Sequence, residues 1–452
     1  MNPIELLEEV LSLTPTTQSV EPGVLASFHS WARQALSPGD LSVSPAEVLT
    51  ETPSRPLVLS LVLMEVLAAV GDLDTAIALG EQLYTDHPMD HRVQDSLCRM
   101  KYYQQVGKVF EEPGRELRGS YCSMLWNTIH VLPNGNVHLC CSVWMRTPIG
   151  NVFQEAPQQI WRSERAEAIR NSVRDGDYRF CGKLSCPHIQ RRLFKSQEGS
   201  SQDPIWLSDV PVTPAIATRF NLSYDRTCNL SCPSCRTEPI AAKGPELERI
   251  EAVTDRLLPL LKGGQRLEVT GSGDPFASKS FRRLLASVNR EEFPELKITI
   301  MTNGQLMRRS EWGKFAHLHG MIDAVNVSVD AARAETYAMV RRGGELAELL
   351  PNLDFIGELR RDGAIRQYRV CFVVQDHNFR EMTEFLELGQ KVGADTLHFQ
   401  MLHDWGTYQP AELNKRRIHR AEHPEHGAFL EVLRSLPKSS TPKILSDFAY
   451  LT

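Results

Sequence analysis

The sequence predicts an α/β protein whose largest part is an incomplete (β/α)6 barrel. Six strand-like runs alternate with helix-like runs, which is the pattern of a parallel sheet with helical crossovers. The six runs are 219–224, 266–270, 297–301, 324–329, 368–374 and 396–401. Two further observations divide the rest of the chain. The first 115 residues show helical periodicity broken by prolines, and eight of the ten cysteines fall between Cys122 and Cys235. We therefore expect an all-helical module, a small cysteine-rich α+β domain and then the barrel.

Length and charge limit the class of protein. At 452 residues the chain exceeds one ordinary domain, so two or three domains are expected. With 50 basic and 56 acidic residues, the net charge of -6 gives no general attraction to nucleic acid or anionic membranes. The first nine residues carry acids where a signal peptide carries lysines, and the apolar run 57–70 is shorter than the ~20 residues that span a bilayer. We expect a cytoplasmic protein with no membrane or nucleic-acid partner.

Three thiols lie within eight residues, directly after the first predicted barrel strand. They are Cys228, Cys232 and Cys235. Cysteines in a cytoplasmic chain indicate metal ligands or buried thiols rather than disulfides. Three thiolates on one short loop can occupy three corners of an iron–sulfur cube and leave the fourth iron without a protein ligand. A zinc knuckle is the alternative, although zinc takes four ligands and usually uses paired Cys-x-x-Cys units.

The Cys-x3-Cys-x2-Cys spacing after a first strand resembles the cluster loop of the radical S-adenosylmethionine (SAM) superfamily. The resemblance implies a [4Fe-4S] cluster on these three cysteines, with SAM bound to the open iron. It also implies a 5'-deoxyadenosyl radical that abstracts hydrogen from a substrate, while the protein positions and shields the cofactors. The residue before the third cysteine is often aromatic in this family and is Ser234 here, which we include among the expected cofactor-binding residues.

Polar turns follow the second, third and fourth predicted barrel strands. Sites in such barrels lie at the carboxyl ends of the strands, so these turns are expected to face the cofactor. The turn at 270–275 resembles the Gly-Gly-Glu motif of the family, with a serine at the first glycine and an aspartate as the acid. Arg341 or Arg342 could also supply a guanidinium to the SAM carboxylate or to the substrate, with a solvated helix end as the alternative. The expected SAM contacts on these turns are Ser272, Gly273, Asp274, Asn303, Ser328 and Asp330.

A second cysteine pattern lies upstream of the barrel. A hairpin with an Asn-Gly turn, a helix that includes Trp161 and a closing cysteine pair occupy residues 118–192. Cys122, Gly135 and Cys140 form a Cys-x12-Gly-x4-Cys element. The segment resembles the twitch domain, the short form of the SPASM domain of radical SAM enzymes. This resemblance implies one auxiliary [4Fe-4S] cluster, with the ligands Cys122, Cys140, Cys181 and Cys186.

Two questions about this segment stay open. Cys140 and Cys141 are neighbours on a predicted strand, so their side chains point to opposite faces. The glycine spacing favours Cys140, and a bulge would reverse the choice. Four thiolates also suit a structural zinc ion, whereas the radical SAM loop downstream favours iron and sulfur. The auxiliary domain follows the barrel in most relatives and precedes it here.

The remaining segments complete the domain plan. Ala76, Leu83 and the helix-ending Pro88 are spaced as in a tetratricopeptide-like (TPR-like) repeat, and a plain helical cap is the alternative. The expected bounds are 1–115 for this module, 118–192 for the twitch domain, 193–214 for a polar linker, 215–405 for the partial TIM-like barrel and 406–452 for a C-terminal extension.

The sequence therefore predicts a radical SAM enzyme of oxidoreductase or maturase type. The first expectation for the substrate is a peptide or protein that is crosslinked, epimerised or dehydrogenated. Radical oxidation or epimerisation of a small molecule, such as a carbohydrate or a sugar-derived alcohol, is the alternative within the same chemistry. A non-catalytic zinc-bound interaction protein is the alternative from another class. A flavodoxin or ferredoxin is the expected reductant, and no catalytic acid or base is identified.

Overall fold

The computed structural model describes parts of 60–104 and of 117–189, together with 206–451 apart from 404, 438, 449 and 450. Contacts divide the chain into two compact units. The cysteine-rich unit comprises 1–127, 138–150 and 162–214, and the barrel unit comprises 128–137, 151–161 and 215–452. The acidic opening segment, Pro88 and the polar stretch 195–204, on which predictions were made, lie outside the described residues.

The described elements follow one another in chain order. Up to residue 207 they are α1 (Leu73–Asp86), β1 (Tyr121–Cys122), α2 (Met124–Asn127), β2 (Thr128–Val131), β3 (Asn136–His138), β4 (Gly150–Asn151), α3 (Pro157–Trp161), α4 (Glu164–Arg174) and β5 (Trp206–Leu207). The next are β6 (Arg219–Leu222), α5 (Gly244–Leu257), β7 (Arg266–Val269), α6 (Lys279–Ser287), β8 (Lys297–Thr302), α7 (Arg309–Trp312), β9 (Ile322–Ser328), α8 (Ala334–Val340) and α9 (Leu346–Arg361). The last are β10 (Ile365–Val374), α10 (Met382–Lys391), β11 (Thr396–Met401), α11 (Pro410–Arg416), α12 (His426–Ser435) and β12 (Lys443–Ser446).

One sheet of the described chain has the strand order β12-β11-β10-β9-β8-β7-β6-β2-β3-β4. Neighbours from β2 through β6 to β12 pair in parallel. The six predicted strands are β6 to β11, and helices alternate with them, so the α/β expectation is confirmed. The strand β12, which the sequence analysis did not predict, adds to the β11 edge.

The strand β2 also extends this sheet. It was expected in the hairpin of the small domain, yet it pairs in parallel with β6, with Thr128 opposite Arg219 and Val131 opposite Leu222. The N–H of Ser223 donates to the Val131 carbonyl at 2.9 Å and continues the pairing. Residues 128–137 and 151–161 accordingly belong to the barrel unit. The predicted domain bounds stay a prediction.

Alternate side chains of the strands build the core. In β7, Leu267 and Val269 are buried while the other two residues are exposed. In β10 and β11, Phe372 and Phe399 pack with Phe385 of α10, with ring centroids 4.7–6.1 Å apart. Helices therefore cover this face, and burial of its apolar side chains stabilises the strands by ~1.5–3 kcal/mol for each. The opposite face and the carboxyl ends remain for polar groups.

The helical N-terminal residues form a core of their own. Ala76 and Leu83 of α1, which predicted the TPR-like repeat, are buried beside Met64 and Leu97. This burial agrees with a packed helical module, whereas the repeat name stays a prediction. Among the described residues, no helix combines the length and the apolar character needed to cross a membrane.

Candidate cofactor sites

The loop after β6 folds back so that its three cysteines lie close together. The N–H of Cys228 donates to the Ile240 carbonyl at 2.8 Å, and that of Ser231 donates to the Arg342 carbonyl at 2.9 Å. Cys228 and Cys232 are buried, and Cys235 is half-buried and packs against them. The loop thus brings together the three thiols that the sequence analysis assigned to one cluster.

Each of the three sulfurs has an N–H donor nearby. The Leu230 backbone lies 3.5 Å from the Cys228 Sγ, and the Asn303 Nδ2 lies 3.6 Å from it. The Arg341 Nη1 lies 3.7 Å from the Cys232 Sγ. The Arg236 Nη2 lies 3.3 Å from the Cys235 Sγ. Such donors stabilise thiolate, the form that ligates iron. The donors are Leu230 and Asn303 for Cys228, Arg341 for Cys232, and Arg236 for Cys235.

Burial opposes ionisation of two of these thiols in the protein alone. It raises the pKa of Cys228 to about 11, although the nearby Arg236 guanidinium acts against it. Burial also raises the pKa of Cys232, against the effect of Arg341. Bound iron would supply the positive charge that buried thiolates require. The donor set, three soft sulfurs with N–H groups beside them, therefore fits an iron–sulfur cluster.

The turn after β7 supports the cluster loop from one side. Asp274 is fully buried, and its Oδ2 accepts the Thr302 hydroxyl at 2.7 Å and the Asn303 N–H at 2.8 Å. Its Oδ1 accepts the Phe276 N–H at 3.0 Å. Burial raises the pKa of Asp274, against these hydrogen bonds. The carboxylate that was expected to hold the SAM amino group is therefore already occupied by protein donors.

The other members of this turn approach the cluster loop through backbone atoms. The Ser272 carbonyl accepts a hydrogen bond from the buried Arg236. Gly273 stands so close to the loop that an added Cβ would lie 2.5 Å from the Asp225 carbonyl and 2.6 Å from that of Thr227. Only glycine allows this approach without a backbone shift. The turn lies where the sequence predicted it, and the close approach to the loop explains why residue 273 is a glycine.

The turns after β8 and β9 carry the remaining predicted SAM contacts. Asn303 is buried, and its Nδ2 donates to Asn229 at 2.9 Å in the cluster loop. Ser328, the last residue of β9, is half-buried. Asp330 is buried with a left-handed φ of 65°, and burial raises its pKa against the effect of Arg341. Ser234 is half-buried on the cluster loop.

Two arginines play parts that the sequence analysis did not settle. The Arg341 Nη2 lies 2.6 Å from the Asp330 Oδ2, and its side chain is only 12% exposed, so the solvated-end interpretation is wrong for this residue. Its Nε is buried without an acceptor among the described residues, a spare donor that fits the SAM carboxylate. Arg236 was missed, and its only signal was its place directly after Cys235.

The second cysteine group meets in a cavity of the cysteine-rich unit. Antiparallel pairing of β1 with β5 places Cys122 beside Trp206. Cys140 lines the cavity and Cys141 does not. Burial raises the pKa of Cys140 well above its usual value, and the four neighbouring thiols raise it further. The lining side chains with sulfur, imidazole or aromatic groups include Cys122, Cys140, Cys181, Cys186, Trp144, Tyr178, His188 and Trp206.

This second donor set also fits a metal cluster. Four thiols gathered around one cavity repel one another once ionised, and metal ions relieve that repulsion. Four thiolates complete a cube without an open iron. Within the described ranges, no group of three or more histidine, cysteine or acidic side chains is placed to hold a single metal ion.

Comparison with known proteins matches each of the two cysteine-containing regions to a family. Residues 222–389 match the radical SAM superfamily, and residues 122–187 match SPASM, an iron–sulfur cluster-binding domain. The probable GTP 3',8-cyclase of Archaeoglobus fulgidus is 28% identical over 172 residues, which are 38% of this chain and 55% of that protein. The GTP 3',8-cyclase of Pelotomaculum thermopropionicum is 34% identical over 135 residues, 28% of this chain and 39% of that one. The chain thus spans about half the length of the curated relatives it matches.

Solved structures align over similar shares of the chain. Streptococcus suis SuiB bound to S-adenosylmethionine has a TM-score of 0.33 at 18% identity, over 49% of this chain and 48% of that one. The structure of native anSMEcpe with bound AdoMet has a TM-score of 0.30 at 20% identity, over 40% of this chain and 50% of that one.

Each of the two matched domains implies its own cofactors. A radical SAM domain implies a [4Fe-4S] cluster and SAM, and a SPASM domain implies auxiliary iron–sulfur clusters. Each match contains the thiols that meet in one of the two sites described above. The chain therefore contains a SPASM iron–sulfur cluster-binding domain that precedes a radical SAM domain.

Proposed function

We propose that this protein is an enzyme that cleaves SAM reductively at Cys228, Cys232 and Cys235 and abstracts hydrogen from a bound substrate. When bound, the cluster supplies the electron and SAM supplies the 5'-deoxyadenosyl radical. The observation that carries the proposal is the set of N–H donors 3.3–3.7 Å from the three sulfurs. The loop offers three thiols with N–H donors beside them, at the carboxyl ends of the barrel strands, the usual place of a barrel active site.

The proposed SAM site keeps the residues expected from the sequence and divides their roles. The carboxylates of Asp274 and Asp330 accept hydrogen bonds or ion pairs from protein groups, so we assign them to positioning Asn303 and Arg341. Arg341 is added as the donor to the SAM carboxylate, because its buried Nε has no acceptor in the described chain. The residues proposed to contact SAM directly are Ser234, Ser272, Gly273, Asn303 and Ser328.

The auxiliary cluster is proposed on the four cysteines of the twitch pattern. Support comes from the cavity that Cys122, Cys140, Cys181 and Cys186 line together. We propose that this centre accepts an electron from the substrate radical or helps to hold the substrate. A flavodoxin or ferredoxin is the proposed donor for the first cluster.

A peptide or protein is the proposed substrate class. The SPASM match at residues 122–187 supports it, because the resemblance to SPASM and twitch enzymes implies a preference for peptides or proteins. Trp405, 58% exposed, follows β11 with its ring 6.4 Å from that of His403. An exposed ring near a strand end can pack against a peptide side chain or a sugar ring, so a carbohydrate stays the runner-up. The names of the curated relatives add GTP to the compounds that need testing.

The first test is the iron and acid-labile sulfide content after anaerobic reconstitution. We expect about eight irons in the wild type and about four in a triple Cys228/Cys232/Cys235→Ala variant. Reduced wild type should form 5'-deoxyadenosine, and unreduced protein should not. About four irons in the wild type and none in the triple variant would assign the cysteine-rich unit to zinc or to structure. A colourless protein without SAM affinity would instead support the zinc-bound interaction protein.

The substrate class is tested by deuterium transfer. An extract from source cells grown in heavy water is divided into a macromolecular and a small-molecule fraction, and each is incubated with reduced enzyme and SAM. Hydrogen abstraction from a deuterated substrate places deuterium in 5'-deoxyadenosine, which mass spectrometry detects. Label that depends on the macromolecular fraction and disappears after protease treatment supports the peptide proposal. Label from the small-molecule fraction contradicts it, and reactions with pure deuterated GTP then test the nucleotide.

A further inference from the structure

We propose that the ion pair between Asp330 and Arg341 sets the reduction potential of the [4Fe-4S] cluster on the Cys228 loop. This inference rests on the proposed function of that loop. The Arg341 guanidinium joins two groups through different nitrogens. Its Nη2 lies 2.6 Å from the Asp330 Oδ2, and its Nη1 lies 3.7 Å from the Cys232 Sγ. The two side chains are 12% and 4% exposed, so solvent screens their charges little.

The two charges act in opposite directions on a cluster bound at Cys232. Reduction adds one negative charge to the cluster, and the guanidinium beside a ligand sulfur stabilises that charge. The Asp330 carboxylate cancels part of this effect. Removal of Arg341 should therefore make reduction harder, and neutralisation of Asp330 should make it easier.

Asp330 is fixed firmly enough to hold the arginine in place. Its Oδ1 accepts the Val373 N–H at 2.8 Å, and its carbonyl accepts the Asn378 Nδ2 at 2.8 Å. Asn378 itself is fully buried. Both anchors lie on or after β10, the strand next to β9 in the sheet. The carboxylate thus has a defined position relative to the cluster loop, which a charge effect on potential requires.

Arg342 offers a matched control. Its Nε donates to the Ser231 hydroxyl at 3.1 Å, and its Nη2 donates to the Thr237 carbonyl at 2.8 Å, so it also tethers the cluster loop. Both of these hydrogen bonds end on oxygen atoms rather than on a cysteine sulfur. Arg236 is a poorer control, because it contacts the Cys235 Sγ and two backbone carbonyls together.

The test is an EPR-monitored redox titration of the reconstituted full-length protein, following the signal that changes when SAM is added. The variants are Arg341→Gln, Arg341→Lys, Asp330→Asn and the control Arg342→Gln. We expect Arg341→Gln to lower the equilibrium constant for one-electron reduction about tenfold, which shifts the reduction potential by about -59 mV. Arg341→Lys should retain most of the wild-type potential, Asp330→Asn should shift it to a more positive value, and Arg342→Gln should leave it unchanged.

The proposal is supported if Arg341→Gln and Asp330→Asn shift the reduction potential in opposite directions while both keep the wild-type iron content. General loosening of the site would shift the potential in the same direction in both variants. Shifts in the same direction, or none, overturn it, while 5'-deoxyadenosine formation by the wild type keeps the proposed function intact. If Arg341→Gln fails to bind iron, the potentials of Arg341→Lys and Asp330→Asn test the proposal. A near-wild-type potential for the first and a more positive one for the second support it, and any other result overturns it. Absence of a SAM-responsive signal in reconstituted wild type overturns the proposed function and this inference with it.

Discussion

The carboxylate of Asp274 accepts the backbone N–H of Asn303 at 2.8 Å, although the two residues follow different strands of the barrel. Asn303 in turn places its Nδ2 3.6 Å from the Cys228 Sγ. The buried acid therefore orders the turn that reaches the cluster loop. This relationship connects the ends of β7 and β8 to the first cysteine and gives the buried acid a structural role at the site.

Asp274→Asn should destabilise the protein. Both Asp274 oxygens accept backbone N–H groups, and a carboxamide can offer an oxygen to only one of them. The other N–H would face an NH2 group in a buried place, which costs about 1–3 kcal/mol. Urea unfolding of the metal-free reduced protein measures the loss. Glu384→Gln, which breaks an exposed ion pair with Arg333, is the control and should cost much less, because water screens the charges of an exposed pair. Equal stability of the two variants would contradict the assignment.

Gly273→Ala should reduce iron binding at the first cluster only. The new Cβ would lie within 2.6 Å of the carbonyls of Asp225 and Thr227, so the backbone just before Cys228 has to move. Gly271→Ala is the matched control, because its nearest neighbour, the Ser223 hydroxyl, lies at 3.9 Å. We expect iron content to fall from about eight toward about four per chain in Gly273→Ala and to stay unchanged in Gly271→Ala. Full iron content in both variants would show that the close approach is not needed.

Single cysteine variants should separate the two sites. Cys228→Ala removes a ligand of the proposed SAM cluster and should abolish 5'-deoxyadenosine formation. Cys181→Ala removes a ligand of the auxiliary site, so it should lose about four irons and retain part of the uncoupled SAM cleavage. Chromatographic assay of 5'-deoxyadenosine with iron analysis measures both. Equal loss of cleavage in soluble variants that still carry iron would disprove this division of roles.

Cys140 and Cys141 should differ as auxiliary ligands. Cys140 lines the cavity that also contains Cys122, Cys181 and Cys186, whereas Cys141 does not. Cys140→Ser should therefore lower iron content from about eight to about four per chain, and Cys141→Ser should leave it unchanged. Each variant is the control for the other, since both alter a half-buried thiol at adjacent positions. The reverse result would show that Cys141, rather than Cys140, faces the cluster.

His419 should make stability depend on pH below neutrality. Burial lowers its pKa to about 4, and the nearby Arg420 acts in the same direction. The unfolded state, with a histidine pKa near 6.5, therefore binds the proton more readily between about pH 6.5 and pH 4. The free energy of unfolding should fall as pH decreases through that interval and remain unaffected above it.

His419→Leu removes this titration and also the buried Nδ1, which has no partner among the described residues. Between about pH 7 and pH 4.5, the free energy of unfolding should decrease in both proteins, but the decrease should be about 2 kcal/mol smaller in the variant. This figure allows for partial exposure of the ring. Urea unfolding of the metal-free reduced proteins at the two pH values measures this difference. Parallel pH curves would assign the acid sensitivity to other groups.

The sequence by itself determined the class of the fold and predicted which thiols would serve as cluster ligands. Alternation of strand-like and helix-like runs is a local property, so β6 to β11 were predicted within a few residues of their observed ends. The Cys-x3-Cys-x2-Cys spacing is equally local, because three ligands on eight residues need no distant partner. Turns such as Thr302-Asn303-Gly304 could be placed near the site because parallel strands end at one edge of a sheet.

Only the tertiary structure decided which groups touch. Asn303 and Cys228 are 75 residues apart, and Arg341 and Cys232 are 109 apart, so no local pattern records their contacts. The pairing of β2 with β6 was missed for the same reason, since a hairpin signal does not reveal the strand that covers its other edge. Packing also decided that Asp274 and Asp330 serve protein donors, because a buried carboxylate must be satisfied by whatever groups the fold brings to it.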